Sequence, residues 1–219
     1  MNIEISGIGW IKKGICGQFF KNLSYDYDEL RSAPSLLVQK SILPSVINKF
    51  NSFDTVSKAT CCAVALGLDD ANISFMTHKM EDVGIIGTNQ SGCLESNLKY
   101  FKDYVAGGRN LARGKLFIYT LPSTPYAAAA IHFNCQGPLI YTGSSQAQTS
   151  SLLIQAKNMV STDQASGMLA ILAEQNYAVC FVIIKNHGQL NGKSLPLDKV
   201  ISGLDNETDI NEIINLLSM

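Results

Sequence analysis

The chain has 219 residues, of which 46% are hydrophobic and 16% charged, with a formal net charge of −1. That balance supplies the apolar material of one compact domain and lacks the basic excess that nucleic-acid binding requires. The opening MNIEISGIGW has neither a basic stretch nor an apolar run of the signal-peptide kind, and no uninterrupted apolar stretch is long enough to cross a bilayer. A cytoplasmic protein without a membrane span is expected.

In chain order, the first strand is predicted at 3–6, followed by Gly7-Ile8-Gly9-Trp10, which reads as a turn. Residues 25–44 are polar, aromatic and punctuated by proline, the pattern of an irregular loop or short helices. A helix is predicted over 53–67, where Val56, Ala59, Ala63 and Val64 recur at helical spacing. The second strand is predicted at 83–87. A helix over 94–105 carries Leu94, Leu98, Phe101 and Val105 on one stripe.

The segment 137–148, GPLIYTGSSQAQ, is the most informative in the chain. Leu139-Ile140-Tyr141-Thr142 is short and apolar enough for a buried strand, and Ser144-Ser145 can cap a helix through Leu152, Leu153, Ala156, Met159 and Val160. Strands at 168–173 and 178–185 follow, separated by a connection too short for a crossover helix, so the last should run antiparallel to its neighbour. Alternation of strands and helices predicts an α/β domain built on a five-stranded mixed sheet, mostly parallel, with helices on its faces. Beyond 185 the chain is expected to turn and finish in an amphipathic helix on Ile210, Ile213, Ile214 and Leu217.

The six cysteines, Cys16, Cys61, Cys62, Cys93, Cys135 and Cys180, form no CxxC pair, and His78, His132 and His187 lack short ligand spacing. No metal site is predicted, and the cysteines read as reduced residues, mostly buried. Gly188 to Ser194 approaches the phosphate-binding pattern G-x-x-x-x-G-K-[ST] but is one residue short, with Pro196 where a long helix should begin. It reads as a surface turn, with nucleotide binding through Lys193 as the rival.

Gln146 sits near the first turn of the helix that follows 139–142. A helix N-terminus lowers a thiol's pKa and stabilises a developing oxyanion, so a cysteine there becomes a nucleophile. An amide offers hydrogen bonds but no ionisable group and cannot form a thioester. Gln146 is therefore either a nucleophile replaced or an ordinary polar residue at a helix start. Cys135, at the end of AAAAIHFNC, is a conceivable displaced nucleophile but reads as a small buried residue, and His132 as a packing residue.

The segment from Gly137-Pro138 to Gln146 resembles the nucleophile elbow of the β-ketoacyl synthases, enzymes of the thiolase fold, with Gln146 at the position of the active cysteine. The strand before Gly7, the strand Val83-Gly84-Ile85-Ile86-Gly87 and the approach through 117–137 are similar to that family in order and spacing. The resemblance implies half of a thiolase fold as a single ketosynthase N-terminal-like domain over 1–219, with sheet and helices to about 185. Ketosynthase subunits contain two such halves, and none of the three histidines here matches the family's catalytic ones.

It further implies a noncatalytic subunit similar to the chain length factors of type II polyketide or aryl polyene systems. Such a subunit would need no cofactor, would heterodimerise with a catalytic β-ketoacyl synthase, and would meet an acyl carrier protein only indirectly. Leu139, Ile140, Tyr141 and Thr142 would lie at the subunit interface, and Tyr126, Phe133 and Gln136 would line the acyl tunnel. The alternative is a stand-alone malonyl-thioester decarboxylase or other acyl-thioester enzyme.

Overall fold

The computed structural model describes residues 2–74, 80–109, 113–143, 149–186 and 193–204. Strand β1 (Ile3–Lys12) is followed by β2 (Ile15–Gln18), β3 (Leu23–Asp26), helix α1 (Ala33–Gln39) and helix α2 (Thr55–Asp70). Then come β4 (Val83–Asn89), α3 (Leu94–Ala106), α4 (Gly114–Phe117) and α5 (Thr124–Phe133). The chain continues with β5 (Leu139–Gly143), α6 (Thr149–Ser161), β6 (Gly167–Ala173), β7 (Tyr177–Lys185), β8 (Leu195–Pro196) and α7 (Leu197–Gly203).

One sheet collects all these strands in the order β3-β2-β1-β7-β6-β4-β5, with β8 beside β1. β4 pairs in parallel with both β5 and β6, whereas β7 pairs antiparallel with both β6 and β1. Hence β1, β4, β5 and β6 point one way and β7 the other, the directions expected for the five long strands. The short reversal is closed by Glu174 N–H donating to the Tyr177 carbonyl at 2.8 Å.

The count of five strands is corrected to eight among the described residues. β2, β3 and β8 contain two to four residues each, too few to display an alternation in sequence. The turn expected at Gly7-Ile8-Gly9-Trp10 is also corrected: β1 runs straight through to Lys12, with a bulge between Ile5 and Gly7. These glycines mark close packing instead. A Cβ on Gly7 would lie 2.6 Å from the Ala71 nitrogen, and one on Gly9 2.6 Å from the Leu66 carbonyl carbon, so only a bare backbone lets α2 rest on β1.

Alternation along the central strands divides the core between the two faces. Leu169, Ile171, Cys180 and Val182 face α2 and α5, and Met168, Ala170, Val179 and Phe181 face α6 and α7. α2 is buried on nearly every side, as its run of Ala, Cys, Val and Leu requires. The Asp54 carboxylate caps it by accepting from Ser57 N at 2.9 Å. At its other end the Asp70 carboxylate accepts from the backbone N–H of Ile8, Phe20 and Lys21, at 2.8, 3.1 and 2.9 Å, and so ties the β2–β3 region onto β1 and α2.

α3 departs from the usual amphipathic arrangement. Its stripe Leu94, Leu98, Phe101 and Val105 is exposed, and the helix has no buried residue. The predicted irregular segment at 25–44 contains α1, opened by Pro34 in its first turn. The C-terminal helix expected on Ile210, Ile213, Ile214 and Leu217 lies outside the described residues.

Candidate functional site

In sheets of this kind ligands and reacting groups gather beyond the carboxyl ends of the parallel strands. Here those ends are Asn89 on β4, Gly143 on β5 and Ala173 on β6, brought side by side by the pairings Asn89 with Gly143 and Thr88 with Leu172. β5 ends at Gly143 and α6 is described from Thr149, so a strand followed by a helix occurs in the order read from sequence, and the turn expected at Ser144-Ser145-Gln146 lies outside the described residues. Gln146 lies outside the described residues, as do His78 and His187.

Around this edge the polar groups are bonded to one another. Tyr126, fully buried on α5, donates its O–H to the Thr88 carbonyl at 2.8 Å and stacks on Tyr141 with ring centroids 6.1 Å apart. Gly87 makes room for that ring, since a Cβ there would run into its edge. The Tyr141 O–H donates to Asn89 Oδ1 at 3.0 Å, and Asn89 Nδ2 donates to the Gly92 carbonyl at 3.1 Å. Thr88 Oγ1 donates to the Thr142 carbonyl at 2.7 Å, and the carboxylate of Glu174 accepts from Gln90 N–H at 2.5 Å.

These contacts hold the phenols in their neutral form. Burial raises the Tyr126 pKa well above the ordinary value, with Tyr141 and Glu174 adding to it, and burial also raises Tyr141. Beside the edge, Ser91, Gly92, Cys93, Pro122, Pro125, and Glu174 border a recess of about 20 Å³, room for roughly a single water. The Cys93 thiol is turned to the Thr120 carbonyl and accepts from Asn97 Nδ2 at 3.3 Å.

The residues singled out in the sequence occupy distinct settings. Leu139, Ile140, Tyr141 and Thr142 lie on β5, which among the described residues pairs with β4 alone and so forms the outer edge of the sheet. Leu139 is exposed and the other three are half-buried. Tyr126 and Phe133 point into the core of this chain, whereas Gln136 is exposed, donating from Nε2 to Asn134 Oδ1 at 3.1 Å. Asn89 and Glu174, which organise the edge, had no local signal in sequence because their partners come from other strands.

The rival nucleophile and base sit poorly for chemistry. Burial pushes the Cys135 thiol up to about 12, far from a thiolate at neutral pH. Burial lowers the His132 pKa, and its ring stands edge-on to Phe133 at 4.8 Å. Of the phosphate-loop rival, 188–192 lie outside the described residues. Ser194, its hydroxyl position, donates to the Glu4 carboxylate at 2.6 Å, an acidic neighbour that repels phosphate, and the helix after it has seven residues. No group of acidic, histidine or cysteine side chains suited to a metal ion occurs among the described residues, and no described helix is long and apolar enough to cross a membrane.

No known sequence family matches the chain, and no curated protein matches it. Solved structures do. The ishigamide ketosynthase/chain length factor superimposes with a TM-score of 0.62 at 14% identity, covering 86% of this chain and 63% of that one. A β-ketoacyl synthase from Burkholderia phymatum STM815 gives a TM-score of 0.58 at 13% identity, over 84% of this chain and 59% of that one. The chain has the ketosynthase fold.

The ketosynthase ApeO in complex with its chain length factor ApeC, from Xenorhabdus doucetiae, also matches, with a TM-score of 0.55 at 15% identity. That match covers 86% of this chain and 81% of its counterpart. By contrast, the chain spans about three-fifths of the first two ketosynthase-fold chains. The half thiolase fold inferred from Gly137 to Gln146 and its approach thus corresponds to the observed architecture.

Proposed function

We propose that this chain is a noncatalytic, chain-length-factor-like subunit. It pairs with a catalytic β-ketoacyl synthase and shapes the tunnel in which that enzyme's acyl chain grows, in polyketide, aryl polyene or fatty-acid-like biosynthesis. The acyl carrier protein is met through the partner, and the role requires no cofactor. The observation that carries the proposal is the edge strand β5, which among the described residues is open along one side and partly exposed, and which is followed in sequence by Gln146, the position that the resemblance gives to the nucleophile.

In this reading residues 1–219 act as one ketosynthase N-terminal-like domain. Leu139, Ile140, Tyr141 and Thr142 form the subunit interface, since an unpaired strand edge accepts a strand from a second chain by backbone hydrogen bonding. The helix and turn bearing Tyr126, Phe133 and Gln136 form the tunnel wall: the two aromatic rings anchor α5 to its own core, and Gln136 is the exposed member. Catalytic groups come from the partner. The Cys135 thiol is buried and pushed up to about 12, and burial keeps the Tyr126 phenol neutral.

The test is co-expression with a candidate β-ketoacyl synthase from the same source, followed by size-exclusion chromatography with light scattering. A one-to-one complex supports the proposal. Two proteins that elute separately at micromolar concentration would contradict it.

A further inference from the structure

On the far side of α5 from the strand edge lies a second feature with its own chemistry. Tyr126, Ala129 and Phe133 turn inward, so Ala127, Ala128 and Ile131 face the other way and form one wall of a groove of about 570 Å³. Phe53 and Ile118 add apolar surface, and Asn48, Lys49, Tyr119, Thr124 and His132 complete the lining. The volume is that of a small-molecule site, for which roughly 300–1,000 Å³ is usual.

The walls are tied together. Tyr119 O–H donates to the Ser52 carbonyl at 2.8 Å, joining the 118–120 turn to the 50–52 turn across the groove, and Thr124 Oγ1 donates to the Ile118 carbonyl at 2.6 Å. The backbone of Lys49, at φ 57°, is held by its carbonyl accepting from Ser52 N and Oγ at 2.8 and 2.7 Å. Two large apolar side chains, Ile131 at 83% and Ile118 at 54% exposure, stand uncovered along it.

Charge decides the occupant. Among the described residues that line the groove, Lys49 is the charged one and no carboxylate opposes it, while burial keeps His132 neutral. An apolar groove with a single cation in its lining is complementary to a single-chain amphiphile with one anionic head. We propose that this groove binds a free fatty carboxylate, its hydrocarbon along Ala127, Ala128 and Ile131 and its carboxylate at Lys49. The groove shares α5 with the tunnel wall of the proposed function, yet it is formed by this chain alone, so its binding is measured without a ketosynthase.

Isothermal titration of the full chain with dodecanoate tests this. One-to-one binding is expected, at least tenfold tighter than dodecyltrimethylammonium, which has the same tail and the opposite head, and with no measurable binding of butyrate. Lys49→Glu and Ile131→Glu, both at exposed positions, should each weaken dodecanoate at least tenfold, whereas Leu23→Glu on β3 should leave it unchanged. Equal affinity for the two head groups, insensitivity to either groove substitution, or equal weakening by Leu23→Glu would overturn the proposal.

Discussion

Tyr126→Phe removes one hydroxyl from the centre of the structure and leaves the ring. The ring is fully buried, stacks on Tyr141 and fills the space that Gly87 leaves open, all of which phenylalanine preserves. What is lost is the hydrogen bond of 2.8 Å to the Thr88 carbonyl at the end of β4. A neutral hydrogen bond contributes about 0.5–1.5 kcal/mol net, and a buried group left short of its partner costs about 1–3 kcal/mol. The expected destabilisation is therefore about 1–2 kcal/mol. For a chain of this size about 1 kcal/mol moves Tm by about 2–4 °C. Urea unfolding followed by circular dichroism should show a lower midpoint at an unchanged m-value. Tyr126→Ala, which also opens a cavity, should cost about 3–5 kcal/mol. An unchanged midpoint for Tyr126→Phe would refute the placement of that hydroxyl, and with it the packing of α5 against the end of β4.

Four further outcomes rest on the same structure. Asp70→Ala strips the acceptor from three backbone N–H groups and should cost about 3 kcal/mol or more in urea unfolding. Burial raises the Asp70 pKa in the folded state despite those bonds, so its contribution is fullest below the unfolded carboxylate pKa and is lost as pH rises through the folded value. Asp70→Asn should therefore flatten a decline of stability with rising pH in the acid range, and an unaltered pH profile would count against it. Native-state labelling with a thiol reagent at pH 8 should modify Cys93, which is half-exposed, and spare Cys135, whose thiol is pushed up to about 12; mass spectrometry that finds Cys135 labelled first would contradict its burial. Leu139→Asp, at an exposed position of β5, should change stability by less than about 0.5 kcal/mol yet abolish the complex with a ketosynthase in chromatography.

The sheet's long strands were legible because each is a run of apolar residues bounded by turn-formers, and the reversal after Ala173 was legible from its length alone. The extent of β1 was not. Gly7 and Gly9 suggest a turn when viewed locally, and only the approach of α2 explains them as sites of contact. α3 shows the converse: the stripe Leu94, Leu98, Phe101 and Val105 is plain in sequence, but periodicity does not say whether a stripe meets the core or the outside, and here it is exposed. At the candidate site the strand at Leu139 to Thr142 was legible, whereas the bonds joining Tyr141 to Asn89 and Gln90 to Glu174 arise from parallel registers spanning 52 and 84 residues, which no local pattern encodes.

The central claim is that the chain contributes shape and surface while a partner supplies the chemistry. Its most direct test is a condensation assay with acyl- and malonyl-carrier-protein thioesters, run with the isolated chain, with the partner ketosynthase alone, and with both together, reading carbon dioxide and product length by mass spectrometry. The account predicts no condensation and no decarboxylation by the isolated chain, and with both proteins a condensation product whose length depends on this chain. Carbon dioxide release or carbon–carbon bond formation by the isolated chain would contradict it.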